Sequence, residues 1–252
     1  MTSAPLSNQA ITVGGLDEAT LSTYQRQQRE PNDSPAYAIG AALSYLRGGR
    51  MVDYATITKL ANRRSSALFS LFFTPAILFG MTTRLWPGGP IAPRQQAALA
   101  RVAARKRRMK VDSTAQAGTP DALVRLLQEP DTAVIVTLGW TDKERPAIME
   151  PDGDLIGFPP VATLYVVGNQ VKYPFGVHSM MLAAYDPNKT ATETDGDVVA
   201  APWGFINSWV NGHDHDLIGY GNLYWMPDEE FRRAWSFNIL VGSHQMVVIR
   251  AV

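Results

Sequence analysis

The chain of 252 residues contains no cysteine. That excludes disulfides, thiolate metal sites and a thiol nucleophile, and it leaves the redox compartment unreadable. Net charge is also lacking: Lys plus Arg and Asp plus Glu stand at 23 each. A balanced chain gives no general reason to expect nucleic acid or an anionic membrane as a partner. Charged residues make up 18% against 46% apolar ones, which fits a soluble globular protein of one large domain or two small ones. Long hydrophobic runs are missing. The longest, "ALFSLFFTPAILFGM" at 67–81, is too short to span a bilayer, is interrupted by Pro75 and reads as core helix. The opening "MTSAPLSNQAITVGG" lacks the basic and apolar regions of a signal peptide, so a cytoplasmic or assembly-associated protein is expected. No Gly-rich phosphate loop, G-x-S-x-G elbow or CxxC pair occurs.

What is present divides into two halves. Residues 1–31 are polar and weakly periodic and read as an N-terminal arm or lead-in; such an arm suggests a contact within a larger protein assembly. From Pro35 to Leu46, Ala36, Ile39, Ala42, Leu43 and Leu46 recur at helical spacing, and Gly48-Gly49 ends the run. In this reading Ser34 is the cap and Pro35 opens the first turn. A second helical region covers about 54–83, and "WPGGP" breaks it. Residues 93–109 are Ala-rich, basic and helical. "TPDALVRLLQEPD" is a short helix with Thr119 as its cap and Pro120 in first position.

After Pro130 the character changes. "TAVIVTLGW", "HSMMLAAYD", "VVAAPWGFINSW", "GNLYWM" and "NILVGSHQMVVIRAV" read as strands. "TLYVVGNQVKYPF" reads as a hairpin turning at Gly168-Asn169, and acidic "DPNKTATETDGD" as a loop at 186–197. Helices first and strands second argue an α+β domain over 32–252, with a helical lobe at about 32–130 facing a β lobe at about 131–252. A cleft between two lobes is a common place for a site.

The chemistry concentrates in the second half. "GVHSMMLAAYD" puts His178 at the start of an apolar strand, and "WGFINSWV" puts Asn207 at the end of another. An Asn carbonyl bonded to an imidazole would fix its tautomer and aim the other ring nitrogen at a nucleophile. With "NLYWMPDEEF" following, these blocks resemble the papain-like cysteine peptidases, and more closely their bacterial members. Those carry a Gln five residues before "SC" at the tip of a long helix, then "HAM-LLVGYD", "NSWG" and "GYFWMPYEY". The resemblance spans about residues 24–235 in the expected order. It implies a papain-like fold with a helical left lobe on a twisted antiparallel right lobe, and peptide-bond hydrolysis by acyl transfer as the ancestral reaction. It places the family's Cys on Ser34 and its oxyanion Gln on Gln28, six residues earlier. His178 lies 144 and Asn207 173 residues after Ser34. The family pattern is roughly 130 to 150, and the acidic 186–197 loop accounts for the later Asn as an insertion.

The sequence departs from that pattern at the nucleophile. A thiol at a helix tip beside an imidazole is ionised by the helix dipole and the ion pair. A hydroxyl is not, and would need His178 as an active general base. Little or no peptidase turnover is therefore expected. Three accounts of Ser34 stand: a Cys-to-Ser substitution in an active peptidase, natural loss of the nucleophile in a protein used for binding or assembly, or a genuine serine variant. The family's Gly after "NSW" is Val210, the "GTGWG" loop is replaced by "NGHDHD", and no recognisable pro-segment precedes the domain.

The remaining features have plainer readings. His213 and His215 alternate with Asp214 and Asp216, but no third ligand set accompanies them, so a solvated loop is expected and no metal or cofactor. "RVAARKRRMK" spreads its charge around a helix and reads as a solvated face or a patch for an acidic protein partner. The expected partner is peptide or protein, with no nucleic acid and no membrane.

Overall fold

The computed structural model describes residues 8–28, 30–63, 91–141, 143, 147–149, 155–157, 163–166, 169–172, 175–192, 196–209, 223–237 and 242–252. The 67–81 apolar run, Val210 and the His213–Asp216 stretch lie outside these residues. No helix among the described residues is long and apolar enough to cross a membrane.

In chain order the elements are β1 (Ile11–Thr12), α1 (Glu18–Ser22), α2 (Ser34–Leu46), α3 (Tyr54–Arg63), α4 (Pro93–Lys106), β2 (Val111–Ala117), α5 (Pro120–Gln128) and β3 (Thr132–Trp140). Short strands β4 (Ala147–Met149), β5 (Leu155–Gly157), β6 (Thr163–Val166) and β7 (Asn169–Lys172) follow, then β8 (Gly176–Tyr185), β9 (Thr190–Thr192), β10 (Val198–Ala200) and β11 (Trp203–Ile206). The chain closes with β12 (Tyr224–Met226), α6 (Asp228–Ser236) and β13 (Gln245–Ala251). The main sheet runs β12-β11-β8-β3-β13-β2, with β1 pairing to β8 beside that path. Every pair is antiparallel. The fold is α+β.

The central helix is α2. Its residues are buried almost all round, which is why they are Ala, Gly, Ile and Leu and not an amphipathic stripe. It packs on β8 and β3 and against α3 and α4. Close approach to α3 depends on Gly40, because a Cβ there would meet the Tyr54 ring at 2.6 Å. Gly48 and Gly49, with φ of +66° and +83°, end the helix in the left-handed region, and Gly49 N–H returns to the Ser44 carbonyl. Thr119 caps α5 as its sequence suggests, accepting from Ala122 N–H at 3.2 Å.

An aromatic cluster lies against α6. Trp203 and Phe205 are two residues apart on β11 and so share one face. Both pack on Phe231, with ring centroids 4.6 and 5.6 Å away, and Phe231 stacks on Trp235.

Several elements differ from expectation. Ser34 is not the cap of α2. A 3-10 turn over Pro31–Asp33 runs straight into the helix, so Ser34 already has helical φ −48°, ψ −40°, and its hydroxyl is used elsewhere. The stretch 110–118, left without an element by periodicity, holds β2, and α6 stands among the strands of the second half. The 186–197 segment holds β9, which pairs with β10 just beyond it. The β6–β7 register sets Val166 opposite Asn169, so Asn169 belongs to the second strand and not to the turn. The N-terminal segment is built into the fold: β1 pairs with Tyr185 and Ala184, and Val13, Leu21 and Tyr24 join the core.

Candidate functional site

The two strands that carry the site lie side by side. β8 enters with His178 near its start, and β11 leaves with Asn207 just past its end. Because β8 and β11 are antiparallel neighbours, start and end meet at the same edge. His178 Nε2 and Asn207 Oδ1 are 2.7 Å apart. The same Oδ1 accepts the backbone N–H of Trp209 at 3.1 Å, which fixes the amide orientation. Oδ1 is therefore an acceptor for both, and the neutral imidazole carries its proton on Nε2.

Ser34, at the first position of α2, meets β8 one residue further on. Its Oγ takes the backbone N–H of Ser179 at 3.1 Å, and not the ring of His178. Ser34 and His178 are each 1% exposed and Asn207 is 2% exposed. Burial of this depth penalises the imidazolium. It pushes the His178 pKa down to about 4, against a smaller upward pull from the Asn207 bond. At neutral pH the ring therefore stands uncharged beside a neutral hydroxyl.

Gln28 is fully buried and joins the turn before α2 to the strand end after Asn207. Its Oε1 accepts from Ser208 Oγ at 2.6 Å, its Nε2 donates to the Glu30 carbonyl at 2.7 Å, and its backbone N–H donates to the Ser208 carbonyl at 2.8 Å. Sequence reasoning passed over its neighbour Gln25, whose Oε1 accepts the backbone N–H of Asn207 at 3.2 Å. The repeated glutamines of "YQRQQRE" look like solvated turn residues, yet Gln25, Gln27 and Gln28 are all buried. The structure thus brings Ser34, His178, Asn207 and Gln28 into one network of neighbouring backbone and side-chain contacts.

Among the described residues no group of three or more His, Asp or Glu is placed to hold a metal ion. No protein-family model matches the sequence, and no curated protein matches it. Among solved structures, the chain is similar to a presumed C39-like peptidase from Bacillus anthracis. The TM-score is 0.49 at 12% identity, over 97% of this chain and 98% of that one.

Proposed function

We propose that this chain is a papain-like peptidase homologue of bacterial type whose Ser/His/Asn site does not turn over peptide bonds, and that the protein serves to bind peptide or protein, or to assemble with it. The observation that carries this reading is the hydrogen bond of Ser34 Oγ. Serine chemistry needs the hydroxyl proton handed to a base during attack. Here the oxygen meets the Ser179 N–H and not the His178 ring, so its proton has no base in line, and the imidazole is a weak base whose pKa burial has lowered to about 4. A thiol at the same place could be ionised in advance; a hydroxyl could not. In this reading Gln28 and the backbone N–H of residue 34 border the position where an acyl oxyanion would sit.

A second reading has its own support. The His178–Asn207 bond at 2.7 Å is the geometry that an active thiol site would use, which favours an active cysteine peptidase in which Ser replaces Cys. One experiment separates the two. The Ser34 protein and its Ser34→Cys variant are incubated with casein and with fluorogenic peptides. The binding reading expects turnover from neither. Turnover by Ser34→Cys alone would establish the second reading, and turnover by the Ser34 protein that vanishes in Ser34→Ala would overturn the first.

A further inference from the structure

Behind the site, three polar side chains meet inside an otherwise apolar layer. Gln96 on α4 is fully buried. Its Nε2 donates to the Ile91 carbonyl at 3.0 Å and lies 3.1 Å from both Thr137 Oγ1 and Ser179 Oγ. The two hydroxyls are 3.0 Å apart, and their residues stand opposite one another across β3 and β8. Gln96 Oε1 is buried with no hydrogen-bond partner.

For stability alone this cluster is a poor choice. Apolar side chains of the same shape would be nearly neutral or better, and an unsatisfied buried amide oxygen is a cost. What the cluster does accomplish is local. It ties the Ser179 side chain to α4 and to β3, and so fixes the backbone of the residue whose N–H meets Ser34 Oγ.

We propose that Gln96 and Thr137 are positioning residues: acting through the Ser179 hydroxyl, they hold the Ser179 N–H on the side-chain atom of residue 34. The atom at the tip of α2 is thereby kept as a hydrogen-bond acceptor, the arrangement that suits an anionic atom better than a hydroxyl. The inference rests on the reading of this cluster as a peptidase-derived site.

The absence of cysteine supplies the test. Ser34→Cys contains a single thiol, so a 13Cβ-cysteine label gives one NMR signal, and its pH titration reports thiolate formation even at a buried position. In Ser34→Cys the midpoint is expected below the ordinary thiol value of about 8.5. Adding Gln96→Leu or Thr137→Val raises it by roughly one pH unit, whereas Thr137→Ser, which keeps the hydroxyl, leaves it in place. A midpoint unmoved by Gln96→Leu and Thr137→Val, in proteins that keep the parent circular dichroism spectrum, overturns the proposal. Should those double variants not fold, hydrogen exchange at the Ser179 amide of the Ser34 protein decides instead. Faster exchange at Ser179 than at Met180 on introducing Thr137→Val supports the proposal, and an unchanged ratio overturns it. Peptide turnover by the Ser34 protein would remove the proposed function while leaving this titration as it is, so the two failures can be told apart.

Discussion

At the residue scale, His178 makes the protein sensitive to acid. Its pKa in the fold is about 4, against an ordinary value of 6.5. Between those values the unfolded chain binds a proton that the folded one refuses, so stability rises with pH across the window. It is fully present above about 6.5 and is lost as pH falls toward about 4. The full span corresponds to about 3 kcal/mol. Urea unfolding at closely spaced pH values measures it directly. His178→Gln, which keeps a donor for Asn207, should flatten the profile between pH 6.5 and 4. If wild type and variant instead lose stability in parallel over that window, His178 is not the group responsible. The pairing with Asn207 was legible in the sequence because both residues interrupt apolar strands at their ends. The N–H of Ser179 was not: a backbone donor carries no sequence signal, and the residues that brace it, Gln96 and Thr137, are 83 and 42 positions from Ser179.

At the scale of elements, the position of Ser34 depends on how deeply α2 sits. Gly40 lies in its middle, where Gly is ordinarily destabilising by about 1 kcal/mol relative to Ala. Here the order reverses, since a Cβ would press into the Tyr54 ring at 2.6–2.8 Å. Tyr54 cannot easily give way: it is buried, its hydroxyl donates to the Tyr24 carbonyl at 2.7 Å, and Tyr37 packs edge-on against it. Gly40→Ala is therefore expected to destabilise by about 1–3 kcal/mol, the usual cost of overpacking, and thermal unfolding reads it. A stabilised variant would mean that helix propensity outweighs the contact. The helices with apolar residues at helical spacing, α2 and α5, were legible for the same reasons that they are stable, although the turn leading into α2 hid its true start. The strand β2 was not, because "VDSTAQA" is an edge strand with polar residues on its open face and little β-branched bulk. The helix α6 did leave signals, with Asp228, Glu229 and Glu230 in its first turn and Phe231, Ala234 and Trp235 at helical spacing. They were masked by the strand immediately before it.

At the scale of the whole molecule, the N-terminal segment works as a clasp. The Glu18 carboxylate accepts from Trp225 Nε1 at 2.8 Å and from Leu223 N–H at 3.1 Å, and it pairs with Lys189 at 3.1 Å. Lys189 in turn lies 4.6 Å from the centre of the Trp225 ring. One carboxylate at the start of α1 thus joins the first turn of the chain to the edge strand β12 and to the segment after β8. Burial raises the Glu18 pKa, but the hydrogen bonds from Trp225, Lys189 and Leu223 outweigh that and leave it below 4.5. A lowered carboxyl contributes stability above the ordinary value that is lost as pH falls through the folded one. This loss meets the acid end of the His178 window, so the two are told apart by comparing the pH profiles of Glu18→Ala and His178→Gln. Glu18→Ala leaves two partly buried N–H groups without their acceptor and is expected to cost about 2 kcal/mol. Because β1 and the turn holding Gln25 and Gln28 flank α1 on either side, hydrogen exchange should quicken over residues 11–28 and at the Asn207 amide, which Gln25 accepts. Glu18→Gln, which keeps one acceptor, should fall between the two. A Glu18→Ala protein within about 0.5 kcal/mol of wild type, with exchange at Asn207 unaltered, would show that the N-terminal segment holds to the sheet without this clasp and that the site does not depend on it.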